Sequence, residues 1–380
     1  MAFLRPRWWG LPLVIFGVAR VVDTVALLLL PAVNERTGSA WDDFLSRSTN
    51  WDANWYATIA HSGYPGSLPV GPDGAVVQNS WAFFPLFPVL TRAAMEATSL
   101  TFAVCGVAIS ILCGAAAVLT IYRVLERAAG RGAGLAAVIG LCAYPASPVL
   151  QMPYTESLAL LLLCLAILFL SQRQYGRLTL TLIPLGLARG IMPAFGLLIA
   201  ARLVMEWRRM GSERPAIRQL LPRLLPLLTS ALLCLLWPVT SAIVTGRADA
   251  LTATERSWGS YSWLAAVSHG PHAALYTLVA LVALAAFAII ALKSTAWPTE
   301  WRLWSVIYPL FIFAATPPAT AVVRYLLLSG VVAYPFWGRV DTDRRLRTIL
   351  VAGCAMIGLI LQMLWLKELW LSPVAGHEPP

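Results

Sequence analysis

Charged residues are scarce in this chain of 380 residues: Asp, Glu, Lys and Arg make up 12% of it, whereas 59% is hydrophobic. The mean hydropathy is +0.72. A soluble globular domain carries about 25% charged residues, so the scarcity excludes that class. Several apolar runs reach the length of about 20 residues that spans a bilayer, and the cleanest runs from Ala273 to Leu292. The composition predicts an all-α polytopic membrane protein.

Lysine is nearly absent, since Lys293 and Lys367 are the two exceptions among 28 cationic residues that are otherwise arginine. The formal net charge of +10 does not come from a basic stripe on a soluble face. The basic residues lie in clusters between apolar spans, as the positive-inside rule predicts for a membrane protein. We therefore expect membrane lipids, and no nucleic acid, as partners. The arginine bias indicates a GC-rich genome.

Paired cysteines, a glycine-rich phosphate loop and metal-ligand spacings are all missing. The cysteines lie inside apolar spans without the spacing of a disulfide framework or a zinc site, and we interpret them as small core residues. No metal ligand is predicted, although Asp52 with a second acid could hold a divalent cation through oxygen ligands. The six cysteines are Cys105, Cys113, Cys142, Cys164, Cys234 and Cys354.

Apolar runs and the positions of arginine predict about eleven transmembrane helices in a single transmembrane domain, residues 1–380. The N-terminus is expected in the cytoplasm and the C-terminus outside, with residues 372–380 as a flexible tail. The first span is interpreted as a signal anchor without a cleavable signal peptide. The predicted spans are 8–31, 101–121, 133–150, 157–171, two short helices within 178–203, and then 224–245, 272–292, 302–316, 320–337 and 348–371.

The two short helices are predicted because a single span over 178–203 would carry the densest basic cluster, from Arg202 to Arg223, to the outside. The hairpin is expected to turn at Arg189 and Gly190. A helix from Arg177 to Arg189 rises about 18 Å, more than half of a hydrocarbon core of about 30 Å. Arg189 is therefore predicted to lie deep in the membrane, facing protein or water.

The longest segment that is not a plain apolar span is residues 51–88, WDANWYATIAHSGYPGSLPVGPDGAVVQNSWAFFPLFP. Its prolines and glycines would leave backbone groups unpaired in hydrocarbon, so it cannot cross the bilayer. We place it in a large first exoplasmic loop, residues 32–100, at the membrane surface or in a water-filled cavity. The end of this loop, Leu86 to Leu100, has one apolar face and is predicted to be an interfacial amphipathic helix.

Asp52 is the first candidate for chemistry. Between Trp51 and Trp55, its carboxylate could act as a general base toward a hydroxyl group. The alternative is that Asp52 or Asn50 caps the helix that begins in ANWYATIA. Glu156, in QMPYTES at the head of the fourth span, is open to the same two interpretations, because an acid also favours a helix N-terminus.

Arg189 and Arg324 are predicted at membrane depth, where a guanidinium costs several kcal/mol unless it meets an anion. Arginine suits phosphate through forked hydrogen bonds. The alternative is a structural ion pair, for example with Glu156. Arg20 and Asp23 are three residues apart in the first helix and are expected to neutralise each other.

The remaining polar and aromatic candidates of the first loop are assigned simpler roles. His61 is interpreted as an interfacial hydrogen-bonding residue, and Asp42 and Asp43 as solvated acids. Tryptophans at span ends are expected to anchor the protein at the membrane interface. Trp55 and Trp81 are the exceptions, as possible platforms for a sugar.

These motifs, in this order, resemble the second GPI mannosyltransferases (phosphatidylinositol-glycan class V) and their bacterial relatives. The likeness extends over about residues 50–336 and consists of WDANWYATIAHSGYP, AFFPLFP, YPASPVLQMPYTESLALLL, LARG and RYLLLSGVVAYPF. That family belongs to the C-type membrane glycosyltransferases, which are multi-span helical enzymes with an exoplasmic active site and a polyprenyl-phosphate sugar as donor. The resemblance therefore implies this fold and this cell-membrane location.

The resemblance also implies roles for individual residues. It makes Asp52 the catalytic carboxylate, places Glu156 and His61 near the acceptor or the sugar, and assigns Arg189 and Arg324 to the donor phosphate. The full set that it predicts for substrate binding is Trp51, Trp55, Tyr56, His61, Tyr154 and Glu156.

The function predicted on this basis is an inverting glycosyltransferase, in particular a mannosyltransferase. It would move a sugar from polyprenyl phosphate to a hydroxyl group of a glycolipid, a glycan or a protein. The GPI acceptor does not carry over, because the arginine-rich composition is typical of a bacterium, such as an actinobacterium, which makes no GPI. The alternatives are a lipid or glycan transporter, which predicts charges through the whole depth of the bundle and two related halves, and a non-catalytic membrane subunit.

Overall fold

The computed structural model of the chain describes residues 8–30, 38–210, 217–259, 297–316, 321–329 and 344–371, with isolated positions between 281 and 289. Helices make up the regular structure of these residues, apart from one isolated antiparallel bridge between Val70 and Val76. The predicted span 272–292 lies almost wholly outside the described residues. The end of the span 320–337 and the predicted tail 372–380 also lie outside them.

Four of the described helices are long and apolar enough to cross a bilayer. They are α1 (Gly10–Leu29), α5 (Phe102–Ala129), α10 (Ile217–Thr245) and α14 (Arg344–Trp365). The other described helices are α2 (Ala40–Ser48), α3 (Asp52–Ser62), α4 (Leu86–Thr98), α6 (Arg131–Cys142), α7 (Glu156–Ser171), α8 (Tyr175–Ala188), α9 (Met192–Met210), α11 (Ala250–Arg256), α12 (Thr299–Ala315) and α13 (Ala321–Tyr325).

The predicted spans differ from the observed helices mainly at their ends. Helix α5 continues to residue 129, past the predicted end at 121, because Glu126 receives hydrogen bonds from Tyr122 and Arg123, both at 2.8 Å, within the same helical turns. It stops at Gly130, whose φ of +84° is a conformation that favours glycine. Helix α6 is shorter than the predicted span 133–150, since proline follows at 145 and 148. The chain continues there as a buried 3₁₀ turn, Ser147–Gln151.

The predicted hairpin is confirmed. Helices α8 and α9 are separated by a turn over residues 189–191, and Arg189 has an extended backbone with φ of −161°. The Thr155 hydroxyl donates to the Ala188 carbonyl at 3.0 Å, so the turn is held against the start of α7. Helix α8, with 14 residues, rises about 21 Å, which is too short to cross a bilayer.

Helix α7 lies at the centre of the bundle. It packs between α5 and α8, while α8 and α9 pack on α10 and α9 packs on α12. Its residues are buried or half-buried on all sides, as expected of a helix that is hydrophobic all round. In contrast, α4 buries only Phe87, Pro88 and Thr91 and exposes the Arg92–Glu96 ion pair. This agrees with the amphipathic helix predicted for residues 86–100.

The predicted neutralisation of Arg20 by Asp23 is confirmed, with 2.9 Å between Nη2 and Oδ2. Arg20 also donates to the Ser147 hydroxyl at 2.7 Å, and Gln362 donates to Asp23. This buried network joins α1, the 3₁₀ turn after α6 and α14. It has a structural role, because it ties three separate segments of the bundle together.

Candidate active site

The candidate site lies where two helix N-termini meet the hairpin turn and α13. Asp52 is the first residue of α3, and Glu156 is the first residue of α7. Arg189 comes from the hairpin turn and Arg324 from α13. A helix N-terminus carries partial positive charge and stabilises a carboxylate there. The helix dipole therefore favours the ionised form of both acids, whereas their burial opposes it.

The four side chains form one ion-pair cluster. Arg324 Nη1 lies 2.6 Å from Asp52 Oδ2, and Arg324 Nε lies 3.4 Å from Glu156 Oε1. Arg189 Nη1 lies 2.9 Å from the same Glu156 oxygen. Glu156 and Arg324 are 1% and 2% exposed, and Asp52 is 8% exposed. Two carboxylates and two guanidinium groups balance in charge, which makes their shared burial tolerable.

The cluster retains unused hydrogen-bonding capacity. Glu156 Oε2 and Arg324 Nε are buried without a hydrogen-bond partner among the described residues. Buried polar atoms normally have partners, so each such atom calls for an explanation. Groups of a bound ligand would provide one.

Tyr154 positions the start of α3, where Asp52 lies, through hydrogen bonds to the backbone. Its hydroxyl donates to the Asn50 carbonyl at 2.8 Å and accepts from the Asp52 backbone N–H at 3.1 Å. The Arg324 guanidinium lies over its ring at 5.0 Å. Tyr154 is fully buried. It therefore positions the predicted catalytic acid and its cation, and it does not line the cavity beside them.

The helix-capping alternative for Asp52 is wrong. The N-cap of α3 is Trp51, with no side-chain cap, and the Asp52 carboxylate pairs with Arg324. Trp51 has φ of +57°, which is rare outside glycine and costs on the order of 1–3 kcal/mol. Its indole donates to the Trp370 carbonyl at 3.2 Å, and this contact helps to hold the strained backbone. Such strain next to Asp52 is typical of a functional site.

A cavity of about 250 Å³ opens beside the cluster. This volume is slightly below the range of about 300–1,000 Å³ that is usual for ligand sites, so the cavity would hold part of a larger ligand. Aromatic side chains form much of its wall. Its lining residues include Asp52, Tyr56, Phe83, Phe84, Glu156, Arg189, Glu255, Tyr308, Phe311, Arg324 and Tyr325.

Of the other predicted substrate-binding residues, some lie at the cavity and some do not. Tyr56 lines the cavity. Trp55 and Trp51 are half-buried outside its lining, and Trp55 stacks on Phe83 with 5.9 Å between ring centroids. His61 is exposed at the other end of α3. Since it lies nine residues from Asp52, it is about 14 Å away along the helix axis, and the structure does not bring it to the cluster.

Trp81 is also not available as a sugar platform. It is 2% exposed and packs between Tyr64 and Trp237, with centroid distances of 4.7 and 5.2 Å. The Trp237 indole donates to the Trp81 carbonyl at 3.0 Å. Trp81 therefore fixes the loop segment that precedes Phe83 at the cavity wall.

Sequence reasoning missed three titratable residues of the lining: Glu255, Tyr308 and Tyr325. Tyr325 follows Arg324 directly, and its ring lies 4.9 Å from the Arg189 guanidinium. Tyr308 sits in the apolar pattern of a predicted span, where an aromatic residue carries no distinct signal. Glu255 was detectable only as an acid in TERSWGSY, a polar segment between two apolar spans.

Burial changes the acidity of two carboxyl groups of the site, Asp52 and Glu255, which lie outside the membrane-spanning helices. Burial raises the pKa of Asp52 above its ordinary value of 3.8, and Arg324 offsets part of this effect. Glu255 lines the cavity, and desolvation raises its pKa to about 7. Both groups can therefore exchange a proton nearer to neutral pH than ordinary acids can.

The predicted divalent cation stays a prediction. Among the described residues, no group of three or more His, Cys, Asp and Glu side chains could hold a metal ion. Arg324 contacts both Asp52 and Glu156. A cation shared by these two acids would have to displace its guanidinium.

Comparisons with known proteins identify the fold. No protein-family model and no curated protein sequence matches the chain. The structure of ArnT from Cupriavidus metallidurans bound to undecaprenyl phosphate aligns with 97% of this chain and 67% of its own, at 14% identity and a TM-score of 0.54. The oligosaccharyltransferase of Archaeoglobus fulgidus, in complex with zinc and sulfate, aligns with 92% of this chain at 16% identity and a TM-score of 0.49.

The chain spans about half the length, 52%, of that oligosaccharyltransferase. At such low identity the likeness to ArnT is evidence of fold alone. The chain thus has the all-α, polytopic fold of the C-type membrane glycosyltransferases, as predicted. The closer likeness to GPI mannosyltransferases stays a prediction.

Proposed function

We propose that this chain, which has the C-type glycosyltransferase fold, is an inverting membrane glycosyltransferase, in particular a mannosyltransferase. It would take the sugar from polyprenyl phosphate and attach it to a hydroxyl group of an acceptor. The observation that carries this proposal is the cluster of Asp52, Glu156, Arg189 and Arg324 at the wall of one cavity. It combines a candidate base with two candidate phosphate-binding cations.

The chemistry assigned to the cluster is a single displacement. The acceptor oxygen attacks the anomeric carbon while its proton passes to Asp52, which acts as a general base. The new bond from the acceptor oxygen to the anomeric carbon forms as the bond from that carbon to the phosphate oxygen breaks. Polyprenyl phosphate leaves from the opposite face, so the anomeric configuration inverts. Arg324 and Arg189 stabilise the charge that develops on the phosphate.

Arg324 also links donor binding to the base. It pairs with Asp52 at 2.6 Å, and phosphate oxygens would compete for the same guanidinium. A phosphate that takes Arg324 weakens its contact with Asp52. The carboxylate then becomes a better base at the moment when the donor is in place.

Two observations support polyprenyl phosphate as the carrier of the donor sugar: the chemistry of the leaving group and the structural similarity to ArnT. No nucleotide-binding loop is needed, because the phosphate is already bonded to the sugar. ArnT, which shares the fold, was crystallised with undecaprenyl phosphate. The phosphate would sit at the arginines, and the lipid chain would remain in the bilayer.

The exoplasmic location of the site is supported by the distribution of arginine. Helix α5 has Arg127 in its last turn, α7 is followed by Arg173, and α9 carries Arg208 near its end. In all three helices this end is opposite to the end at the site. The positive-inside rule assigns the arginine-rich end to the cytoplasm, so the cavity opens outside.

Purified protein incubated with labelled polyprenyl-phosphate mannose and candidate acceptors tests the proposal. Asp52→Asn should abolish transfer without loss of folding or membrane insertion, because the amide cannot take the proton. Asp73→Asn is the matched control, since Asp73 is exposed in the same loop and accepts a local turn hydrogen bond from the Ala75 N–H. Full turnover of Asp52→Asn would remove Asp52 from the mechanism. A wild type that only translocates lipid would support the transporter instead.

A further inference from the structure

Helix α11 is a short element that is held firmly against the first loop. Asn79 Nδ2 donates to Thr254 Oγ1 at 3.1 Å, and both side chains are buried. Just after the helix, Trp258 packs edge-on against Trp55 and Phe83, with centroid distances of 5.8 and 5.6 Å. Glu255 lies between these two anchors, so its position at the cavity wall is defined by packing on both sides.

The Glu255 carboxylate is the one acid of the cavity lining that remains without an ion pair or side-chain hydrogen bond among the described residues. The two cations of the lining, Arg189 and Arg324, already contact Glu156 and Asp52. A carboxyl group accepts hydrogen bonds through both oxygens when it is ionised and can donate one when it is protonated, and a hydroxyl group can serve as partner in either state. A ligand with hydroxyl groups is suited to that position.

The residues that line the cavity come from two parts of the chain: the helices of the membrane bundle and the segments between the spans. Tyr308 and Ile312 of α12 and the hairpin turn form a wall from the membrane bundle, next to the arginines. Residues 82–84 and Glu255 form the other wall, from segments between the spans. A lipid-linked donor reaches the first wall from the bilayer. The second wall is therefore the one against which an acceptor would lie.

From this arrangement, and resting on the proposed function, we infer that Glu255 binds hydroxyl groups of the acceptor and that the acceptor is a glycan or another polyhydroxyl group, not a serine or threonine of a protein. The acceptor hydroxyl group that attacks gives its proton to Asp52. A second carboxylate on the acceptor wall is suited to further hydrogen-bond donors on the same molecule. The clustered hydroxyl groups of a glycan supply them, whereas a serine side chain has only the hydroxyl group that attacks. Aromatic neighbours such as Phe83 and Phe84 supply the apolar part of such a site.

The inference is tested with Glu255→Gln, Glu255→Asp and a control, Asp249→Asn, in which an exposed acid outside the cavity lining is changed. The acceptor probes are octyl mannoside, an octyl-linked dimannoside and a serine-containing octapeptide. Glu255→Gln should raise the KM for the sugar acceptors about tenfold or more, as expected for a lost hydrogen bond to a charged group. It should change kcat, and the KM for the donor, less than threefold. Glu255→Asp should recover part of the loss, and the control should match the wild type.

Binding of the same acceptors without donor keeps this test separate from the proposed function. Weaker binding of the two sugar probes by Glu255→Gln, with peptide binding unchanged, supports the inference even if no transfer occurs. An unchanged KM and affinity for the sugar probes would overturn it, and so would transfer to the octapeptide in preference to the sugars. A wild type that binds the acceptors but never transfers mannose would contradict the proposed function alone.

Discussion

At the scale of single residues, Arg324 is the centre of the site. It contacts Asp52 and Glu156 at the same time and is 2% exposed. Removing a cation that contacts a buried carboxylate leaves that charge uncompensated, which costs about 3–5 kcal/mol. If Arg324 were replaced by alanine, a loss of donor binding could not be distinguished from a loss of folding. A substitution that keeps the charge is more informative.

We predict that Arg324→Lys weakens binding of the polyprenyl-phosphate donor at least about tenfold, because lysine keeps the charge but loses the forked hydrogen bonds. Acceptor affinity should change little. Donor affinity can be measured by displacement of a labelled polyprenyl phosphate. The control is Arg92→Lys, whose exposed ion pair lies on α4 outside the cavity lining. Equal donor affinity of Arg324→Lys and the wild type would count against the phosphate role.

The raised pKa of Asp52 gives a pH prediction with a defined sign. A general base must be unprotonated, so activity is present above the pKa of the folded protein and is lost as the pH falls through it. Burial raises this pKa above 3.8. We therefore expect the acid limb of kcat/KM to lie above pH 3.8, and to move when Asp52→Glu changes the contact with Arg324. An acid limb that is identical in both proteins would assign it to another group.

At the scale of helices, close packing of α14 on the end of α6 depends on a glycine. A Cβ added at Gly358 would lie 2.2 Å from the Ala143 carbonyl oxygen, a backbone atom that cannot move aside easily. Gly353, in the same helix, has nothing within 4 Å of the same position. The two glycines therefore form a matched pair.

We predict that Gly358→Ala lowers the free energy of unfolding by about 1–3 kcal/mol, because forced overpacking shifts the helix. Gly353→Ala should be neutral or stabilising by up to about 1 kcal/mol, since alanine favours a helix. Thermal unfolding in one detergent compares the two variants directly. Equal Tm values for both would show that α14 does not need this close approach.

At the scale of the whole molecule, the proposed orientation predicts which surfaces face the outside. Asp73 is exposed in the first loop on the site side, and Arg177 is exposed at the opposite end, at the start of α8. Asp73→Cys should react with a membrane-impermeant thiol reagent in intact cells, and Arg177→Cys only after permeabilisation. The native cysteines are buried or half-buried, so the unmodified protein provides the background. The reverse labelling pattern would place the site on the cytoplasmic side.

Local pattern was sufficient to predict a large part of the fold. The all-α class follows from the apolar content, and the hairpin at Arg189 follows from the distribution of arginine. The Arg20–Asp23 pair was predictable because residues three apart meet on one helix. The errors lie at helix ends, such as α5 and α6, where capping and proline decide the boundary.

The sequence by itself determined the all-α class and most of the described helical segments, since these depend on periodicity and charge over short distances. Only the tertiary structure decided which residues contact each other. Asp52 pairs with Arg324, Glu156 pairs with both arginines, and the Tyr154 hydroxyl accepts from the Asp52 backbone N–H. It also excluded His61 from the cavity and brought Glu255 to it. The physical reason is that these contacts join residues far apart in the chain, through the packing of several helices.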